Sequence, residues 1–147
     1  MMRKLIHRGA QVNLQLSSTM GETPSPLMAA CLSRNNAEAV LFLLENGAQV
    51  DRPYLKEYDE YHTDTTPLRT AISYRSYITA SILVDHGAST SIRGSTQNVL
   101  GDFKLPCEGN ELLRKLIGMG LRPPDLYACV RDTIFNYCCR AMDYGDI

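Results

Sequence analysis

Residues 26–51 carry the pattern that most constrains how this chain folds. A short apolar stretch is followed by a polar break at 33–36 and by a stronger apolar stretch at 39–44. The spacing predicts two short helices, because Pro26 suits the first turn of a helix and Gly47 can adopt the left-handed conformation that ends one. Two helices of this length cannot bury their shared apolar face alone. The pattern therefore requires neighbours of the same kind.

Such neighbours are present along the chain. Residues 65–90 repeat the plan of residues 26–51, residues 5–13 match the end of another copy, and residues 111–123 match the second helix of a further copy. The predicted helix-ending residues are separated by 38, 40 and 33 positions and are Gly9, Gly47, Gly87 and Gly120. A recurring two-helix unit with connectors of unequal length therefore organises the sequence.

These copies resemble the ankyrin repeat, whose signature is T-P-L-H-x-A followed by a Leu-Leu-x-x-Gly-Ala tail. The resemblance covers residues 1 to about 123 and implies an all-α solenoid of stacked helix–turn–helix units with extended inter-repeat fingers. The signature histidine is replaced by Met28 and Arg69, and the usual Gly-His between the helices is replaced by Asn35–Asn36 and Arg75–Ser76. We therefore expect lower stability than in arrays of consensus repeats.

The resemblance implies a single ankyrin-repeat domain over residues 1–147. Its predicted parts are a partial repeat at 1–13, repeats at 23–51 and 65–90, a degenerate repeat at 98–123 and a capping helix at 125–142. Pro106 interrupts the first helix of the degenerate repeat, so we expect that helix to be distorted and a sound second helix to follow at 111–118. The Ser- and Thr-containing connector at 14–24 is predicted to be a solvated loop.

The predicted terminal helix at 125–142 has an apolar face that fits a cap on the stack. It is also weakly similar to the SOCS box, which follows ankyrin arrays in some ubiquitin-ligase substrate receptors. The spacing of Leu126, Cys129, Arg131 and Ile134 does not match that motif. A plain cap and an adaptor segment both stay open at this point.

Composition and charge exclude several classes of function. The net charge of −1 gives no long-range attraction to nucleic acid or to an anionic membrane, and no apolar run approaches the length of a membrane span. Five cysteines without the spacing of a disulfide framework or a zinc site predict reduced thiols, and hence a cytoplasmic or nuclear protein. We expect no metal and no cofactor.

Catalytic chemistry is not indicated either. His7, His62 and His86 are far apart, and the carboxylates around His62 lie in a polar segment that predicts a solvated acidic loop. No glycine-rich phosphate loop is present, and no cysteine has a positioned base. The sequence predicts that this protein is not an enzyme.

The connector at 52–65, which we call the long finger, is the most informative segment outside the repeats. Insertions in ankyrin arrays collect in such fingers, often on the binding face, and tyrosine is enriched at binding hot spots. The predicted partner-binding residues in the long finger are Tyr54, Lys56, Tyr58, Glu60 and Tyr61. The alternative is a surface loop whose tyrosines only cover the neighbouring repeat.

A second set of candidates comes from the resemblance, because first helices line the concave groove of ankyrin arrays. The partner-binding residues predicted there and at the following turn are Arg69, Ser73, Tyr74, Arg75 and Tyr77. An ordinary solvated helix face is the alternative.

These features predict a scaffold or recognition module that binds a partner protein or peptide through its concave face and long finger. Two other hypotheses remain: an inhibitor or pathogen mimic that masks a transcription factor, and the substrate-binding part of a ubiquitin-ligase adaptor. Co-purification of elongin-type partners through residues 125–147 would identify the adaptor. Loss of a target's DNA binding on mixing would identify the inhibitor.

Overall fold

Two pairs of helices form the core of the first half of the chain. The computed structural model describes residues 2–18, 21–33, 36–54, 65–91, 99–102 and 110–121. The helices are α1 (Met2–His7), α2 (Pro26–Cys31), α3 (Ala37–Glu45), α4 (Pro67–Ser73), α5 (Tyr77–Asp85) and α6 (Asn110–Gly118), with a 3-10 helix at Val99–Asp102. The chain divides into two compact units, Met1–Ser89 and Thr90–Ile147.

The first helix of each pair begins as the sequence predicts. The Ser25 hydroxyl accepts a hydrogen bond from the Met28 N–H at 3.2 Å, and the Thr66 hydroxyl accepts one from the Arg69 N–H at 3.4 Å. A proline follows each capping residue, where its missing N–H leaves no helical hydrogen bond unmade. The Ser-Pro-Leu and Thr-Pro-Leu segments therefore serve as equivalent helix starts.

Glycines in the left-handed conformation follow the second helices. The predicted helix-ending residues all have positive φ angles: 86° at Gly9, 85° at Gly47, 81° at Gly87 and 88° at Gly120. At the end of α3 the Gly47 N–H donates to the Leu44 carbonyl at 3.1 Å and the Ala48 N–H donates to the Leu43 carbonyl at 3.0 Å. This pair of bonds is the Schellman motif, and it confirms the glycine-ended helices.

Like helices stack on like helices in the first unit. Each pair packs internally, and in addition α2 packs against α4 while α3 packs against α5. The largest fully buried side chains of these four helices are Leu27, Met28, Val40, Leu43, Leu68, Ile72, Thr79 and Leu83. This repeat-on-repeat packing is the all-α arrangement that the resemblance implies.

A recurring hydrogen bond links two successive inter-repeat tails to the repeats that follow them. The Asn13 side chain accepts from the Gln49 N–H at 2.8 Å and donates to the Gly47 carbonyl at 2.9 Å. Asp51, which follows Gly47 at the same spacing as Asn13 follows Gly9, accepts from the Ser89 N–H at 2.8 Å. One side-chain position in the repeat therefore fixes the register between neighbours.

The connectors contain short extended segments. The strands β1 (Ser17–Ser18) and β2 (Gly21–Glu22) pair antiparallel within the connector at 14–24, which differs from the plain solvated loop expected there. The Thr23 N–H also donates to the Leu16 carbonyl at 2.8 Å, which extends the pairing. In the long finger, an isolated antiparallel bridge joins Tyr54 to Thr65.

The second unit keeps one regular α-helix among its described residues. The 3-10 helix at Val99–Asp102 stands where the first helix of the degenerate repeat was expected, and α6 supplies the second helix. The buried face of α6 is formed by Leu112, Leu113 and Leu116. The second helix expected at 111–118 is present as α6. Most of the first helix expected before it, with Pro106, and the predicted cap at 125–142 lie outside the described residues.

Candidate functional site

The turn between α4 and α5 has an unusual backbone. Arg75 is the one residue between the C-cap of α4 at Tyr74 and the N-cap of α5 at Ser76, and its φ angle is 57°. The Arg75 N–H donates to the Ile72 carbonyl at 2.9 Å, and the Ser76 N–H donates to the Ala71 carbonyl at 2.8 Å. This is again the Schellman motif, so arginine occupies the position where α3 and α5 have glycine. The left-handed conformation disfavours any residue that has a Cβ atom.

The corresponding turn of the preceding repeat is longer. There the C-cap is Leu32 and the N-cap is Asn36, so three residues lie between the caps, against one between Tyr74 and Ser76. Among the described non-glycine residues, Arg75 is the one with a positive φ angle.

Apolar and aromatic side chains are exposed around this turn. Tyr74 is 45% exposed and Leu32, at the equivalent C-cap of α2, is 39% exposed. Ile78, the second residue of α5, is 75% exposed. We did not predict Ile78, although the repeat register contains a signal. The N-caps Asn36 and Ser76 are 40 positions apart, so Ile78 stands where α3 has Glu38.

Two hydroxyl groups lie buried beside the same turn. Ser76 and Thr79, at the N-cap and the third residue of α5, are 3% and 1% exposed. Neither hydroxyl oxygen has a hydrogen-bond partner. A buried polar group without a hydrogen-bond partner lowers stability. The first turn of α5 therefore leaves two buried hydroxyl groups without hydrogen bonds, which an ordinary helix start does not do.

The predicted groove residues are distributed over both ends of α4. Ser73 is exposed, whereas Arg69 and Tyr77 are half-buried and each make further polar or ring contacts. The structure brings Ser73, Tyr74, Arg75 and Tyr77 together around the α4–α5 turn. Arg69 lies in the first turn of α4, about 6 Å along the helix axis from Ser73, since a helix rises about 1.5 Å per residue.

The long finger begins at the opposite end of α4. Tyr54 is half-buried, its N–H donates to the Thr65 carbonyl at 3.0 Å, and its carbonyl accepts from the Thr65 N–H at 3.3 Å. Arg52, just before it, donates to the Gln15 side chain at 2.5 Å. The other predicted finger residues, Lys56, Tyr58, Glu60 and Tyr61, lie outside the described residues. Tyr54 and the α4–α5 turn are therefore separated by about the length of α4, roughly 10 Å.

The described residues carry little that could act chemically. Burial raises the pKa of the Cys31 thiol from 9.0 to about 12, so this cysteine is protonated at neutral pH and is not a nucleophile. His86 caps α5, and its Nδ1 lies 2.9 Å from the Ile82 carbonyl oxygen. In the part of the chain that the structure describes, no group of three His, Cys, Asp or Glu side chains could hold a metal ion. Nor is any helix there long and apolar enough to cross a membrane.

Comparisons with known proteins agree with this architecture. The crystal structure of the human ASB11 ankyrin repeat domain is similar at a TM-score of 0.59, with 22% sequence identity over 82% of this chain and 48% of that chain. This chain thus spans about half the length of that structure, and at this identity the likeness concerns the fold. No curated protein matches the sequence.

The family model for ankyrin repeats matches residues 1–94, in three copies. That range contains the partial repeat at 1–13 and the repeats at 23–51 and 65–90. Ankyrin repeats are generally protein–protein interaction modules on a scaffold that is not of an enzymatic type. Because the family model matches more than half of the chain, and the helix ends and the packing of the repeats agree with it, this chain belongs to the ankyrin-repeat family.

Proposed function

We propose that this chain is a recognition module that binds a segment of another protein along its first helices, with contacts at both ends of α4. The contacts at one end come from Ser73, Tyr74, Arg75 and Tyr77, and Arg69 lies between them and the long finger. The finger contributes Tyr54, Lys56, Tyr58, Glu60 and Tyr61. The observation that carries the proposal is the α4–α5 turn, where the exposed Tyr74 and Ile78 come shortly before and after a strained arginine in the chain.

The chemistry of this surface favours a protein ligand over other classes. Tyrosine and arginine are the side chains most enriched at protein–protein hot spots, and Tyr74 and Arg75 are adjacent in the turn. The net charge of −1 gives no electrostatic support for binding nucleic acid. The buried, protonated Cys31 gives no support for catalysis.

The experiment is affinity purification with mass spectrometry, using four versions of the chain. They are the wild type, a version with residues 52–62 replaced by a short turn, Tyr74→Ala, and Leu41→Ala as a matched control. Leu41 is exposed on α3, outside the proposed surface. Thermal unfolding of each version establishes that it is folded before any loss of binding is interpreted.

We expect the wild type and Leu41→Ala to capture the same partner, and the other two versions to lose or weaken it. Absence of any specific partner for the folded wild type would contradict the proposal. If all four versions retain the same partner, that partner does not bind through the proposed surface. Elongin-type proteins held through residues 125–147 would identify the adaptor, and a captured transcription factor that loses DNA binding would identify the inhibitor.

A further inference from the structure

We propose that Asn46, at the end of α3, is a site of deamidation whose modification releases the hydrogen bonds between Asn13 and the repeat at 23–51. Among the asparagines of the chain, Asn46 is the one that glycine follows, and no aspartate precedes a glycine. The inference concerns a covalent change at a contact between repeats and does not depend on the proposed function.

The reaction needs no enzyme, because an Asn-Gly pair contains both reacting groups. The Gly47 nitrogen loses its proton and attacks Cγ of the Asn46 side chain, and the side-chain nitrogen takes up a proton and leaves as ammonia. Glycine has no side chain to hinder this attack. Water then opens the five-membered ring. Opening at one carbonyl gives aspartate, and opening at the other gives isoaspartate, in which the main chain runs through Cβ and Cγ and is one carbon longer.

The closed end of α3 opposes the attack. The Gly47 N–H donates to the Leu44 carbonyl at 3.1 Å, and the Asn46 Nδ2 donates to the Phe42 carbonyl at 2.7 Å. The ψ angle of Asn46 is 18°, so the Gly47 nitrogen nearly eclipses the Asn46 nitrogen, whereas ring closure needs it to eclipse Cβ. These restraints belong to one exposed helix end, and helix ends open at a much lower free energy than the whole protein unfolds. Deamidation therefore follows local opening of this end.

The bonds that fix the register between repeats begin directly after the modified residue. Asn13 donates to the Gly47 carbonyl at 2.9 Å and accepts from the Gln49 N–H at 2.8 Å. An added main-chain carbon at position 46 shifts Gly47 and Gln49 relative to α3, so Asn13 cannot keep both bonds. Either product also places a carboxylate at the C-terminal end of α3, where the helix dipole disfavours negative charge.

The next repeat has the same cap contact without the reactive pair. His86 is the C-cap of α5, and its Nδ1 lies 2.9 Å from the Ile82 carbonyl oxygen, four residues earlier, as Asn46 Nδ2 lies near the Phe42 carbonyl. Histidine has no side-chain carbonyl for a backbone nitrogen to attack. Asn46→His is therefore the matched control, which keeps a cap contact and removes the reaction.

The first experiment follows Asn46 by peptide mass spectrometry while the wild type and Asn46→His are incubated in mildly alkaline buffer, with and without urea. We expect the wild type to gain about one dalton in the peptide that contains residues 46–47, with isoaspartate among the products, and Asn46→His to stay unchanged there. Conversion should be about tenfold slower in the native chain than in urea, because the helix end must open first. Equal rates, or no conversion of the native chain over many half-lives of the unfolded chain, would overturn the proposal.

The second experiment measures hydrogen exchange by NMR in the deamidated chain, separated from the unmodified chain by ion exchange. We expect the Gln49 N–H to exchange several-fold faster than in the wild type. The Ser89 N–H, which Asp51 accepts in the equivalent bond of the next repeat, should be unchanged. Asn46→Asp carries the charge without the added carbon and should show a smaller increase at Gln49. Unchanged exchange at Gln49, or faster exchange at both amides, would show that the modification does not release this register.

Discussion

Replacing Arg75 by glycine should relieve backbone strain in this protein while weakening the binding of its partner. The residue has a φ angle of 57°, and the left-handed conformation costs an L-residue about 1–2 kcal/mol. Glycine removes that cost but makes the unfolded chain more flexible, which lowers stability by about 0.5–1 kcal/mol. The difference is a stabilisation of about 0.5–1 kcal/mol from the backbone alone, equivalent to an increase in Tm of about 1–4 °C for a chain of this size, and the loss of the Arg75 side-chain interactions subtracts from it.

The assay is thermal and urea unfolding of three versions: wild type, Arg75→Gly and Arg75→Ala. Arg75 makes side-chain interactions, and both substitutions remove them. Alanine keeps the strained backbone, so the difference between the glycine and alanine variants isolates the backbone term. We expect the glycine variant to be the more stable of the two by about 0.5–1 kcal/mol.

A matched pair of substitutions tests the reasoning at an ordinary helical position. At Arg114, in the middle of α6, glycine should be less stable than alanine by about 1 kcal/mol, because a helix interior favours alanine. The order of the two variants should therefore reverse between the two sites. If alanine is as stable as glycine at position 75, Arg75 is not strained and the account of the turn is wrong.

Three further predictions concern the core and the repeat contacts. Thr79→Val should raise the free energy of unfolding by about 1 kcal/mol, because it removes a buried hydroxyl without a hydrogen-bond partner and keeps the β-branched shape. An unchanged free energy in a urea titration would show that water satisfies this hydroxyl in solution. Asp51→Ala should lower the free energy of unfolding by about 0.5–1.5 kcal/mol, because it removes the surface hydrogen bond that the Asp51 carboxylate accepts from the Ser89 N–H. Asp51→Asn should lower it less, and equal losses would show that this hydrogen bond is unimportant. Cys31 should react with thiol reagents only as fast as the chain unfolds. Reaction of the native protein at the rate of a free thiol would contradict the burial of Cys31. Since folding raises the pKa of this thiol from 9.0 to about 12, the stability that it contributes is present below pH 9 and is lost as pH rises from 9 towards 12.

Local sequence signals were sufficient to predict the paired helices of the repeats and where they begin and end. A proline after a capping residue and a glycine after an apolar run act within a few residues, so they can be recognised without knowing what packs nearby. The starts at Pro26 and Pro67 and the left-handed Gly47 and Gly87 are confirmed for this reason.

Features that depend on tertiary packing could not be predicted in the same way. The replacement of the usual glycine by Arg75 was visible in the sequence, but its positive φ angle depends on a connection that leaves one residue between two caps. Ile78 fits an apolar helix pattern, and only its position relative to neighbouring helices exposes it. The bond between Asp51 and Ser89 joins residues 38 positions apart, beyond the reach of local propensity.

Hydrogen–deuterium exchange of the chain, alone and with its captured partner, tests the central claim most directly. We expect the partner to slow exchange at residues 69–78 and 52–62 and to leave the buried faces of α3 and α5 unchanged. Slower exchange confined to residues 110–118, with 52–62 and 69–78 unaffected, would contradict the claim that this protein recognises its partner along the first helices and at both ends of α4.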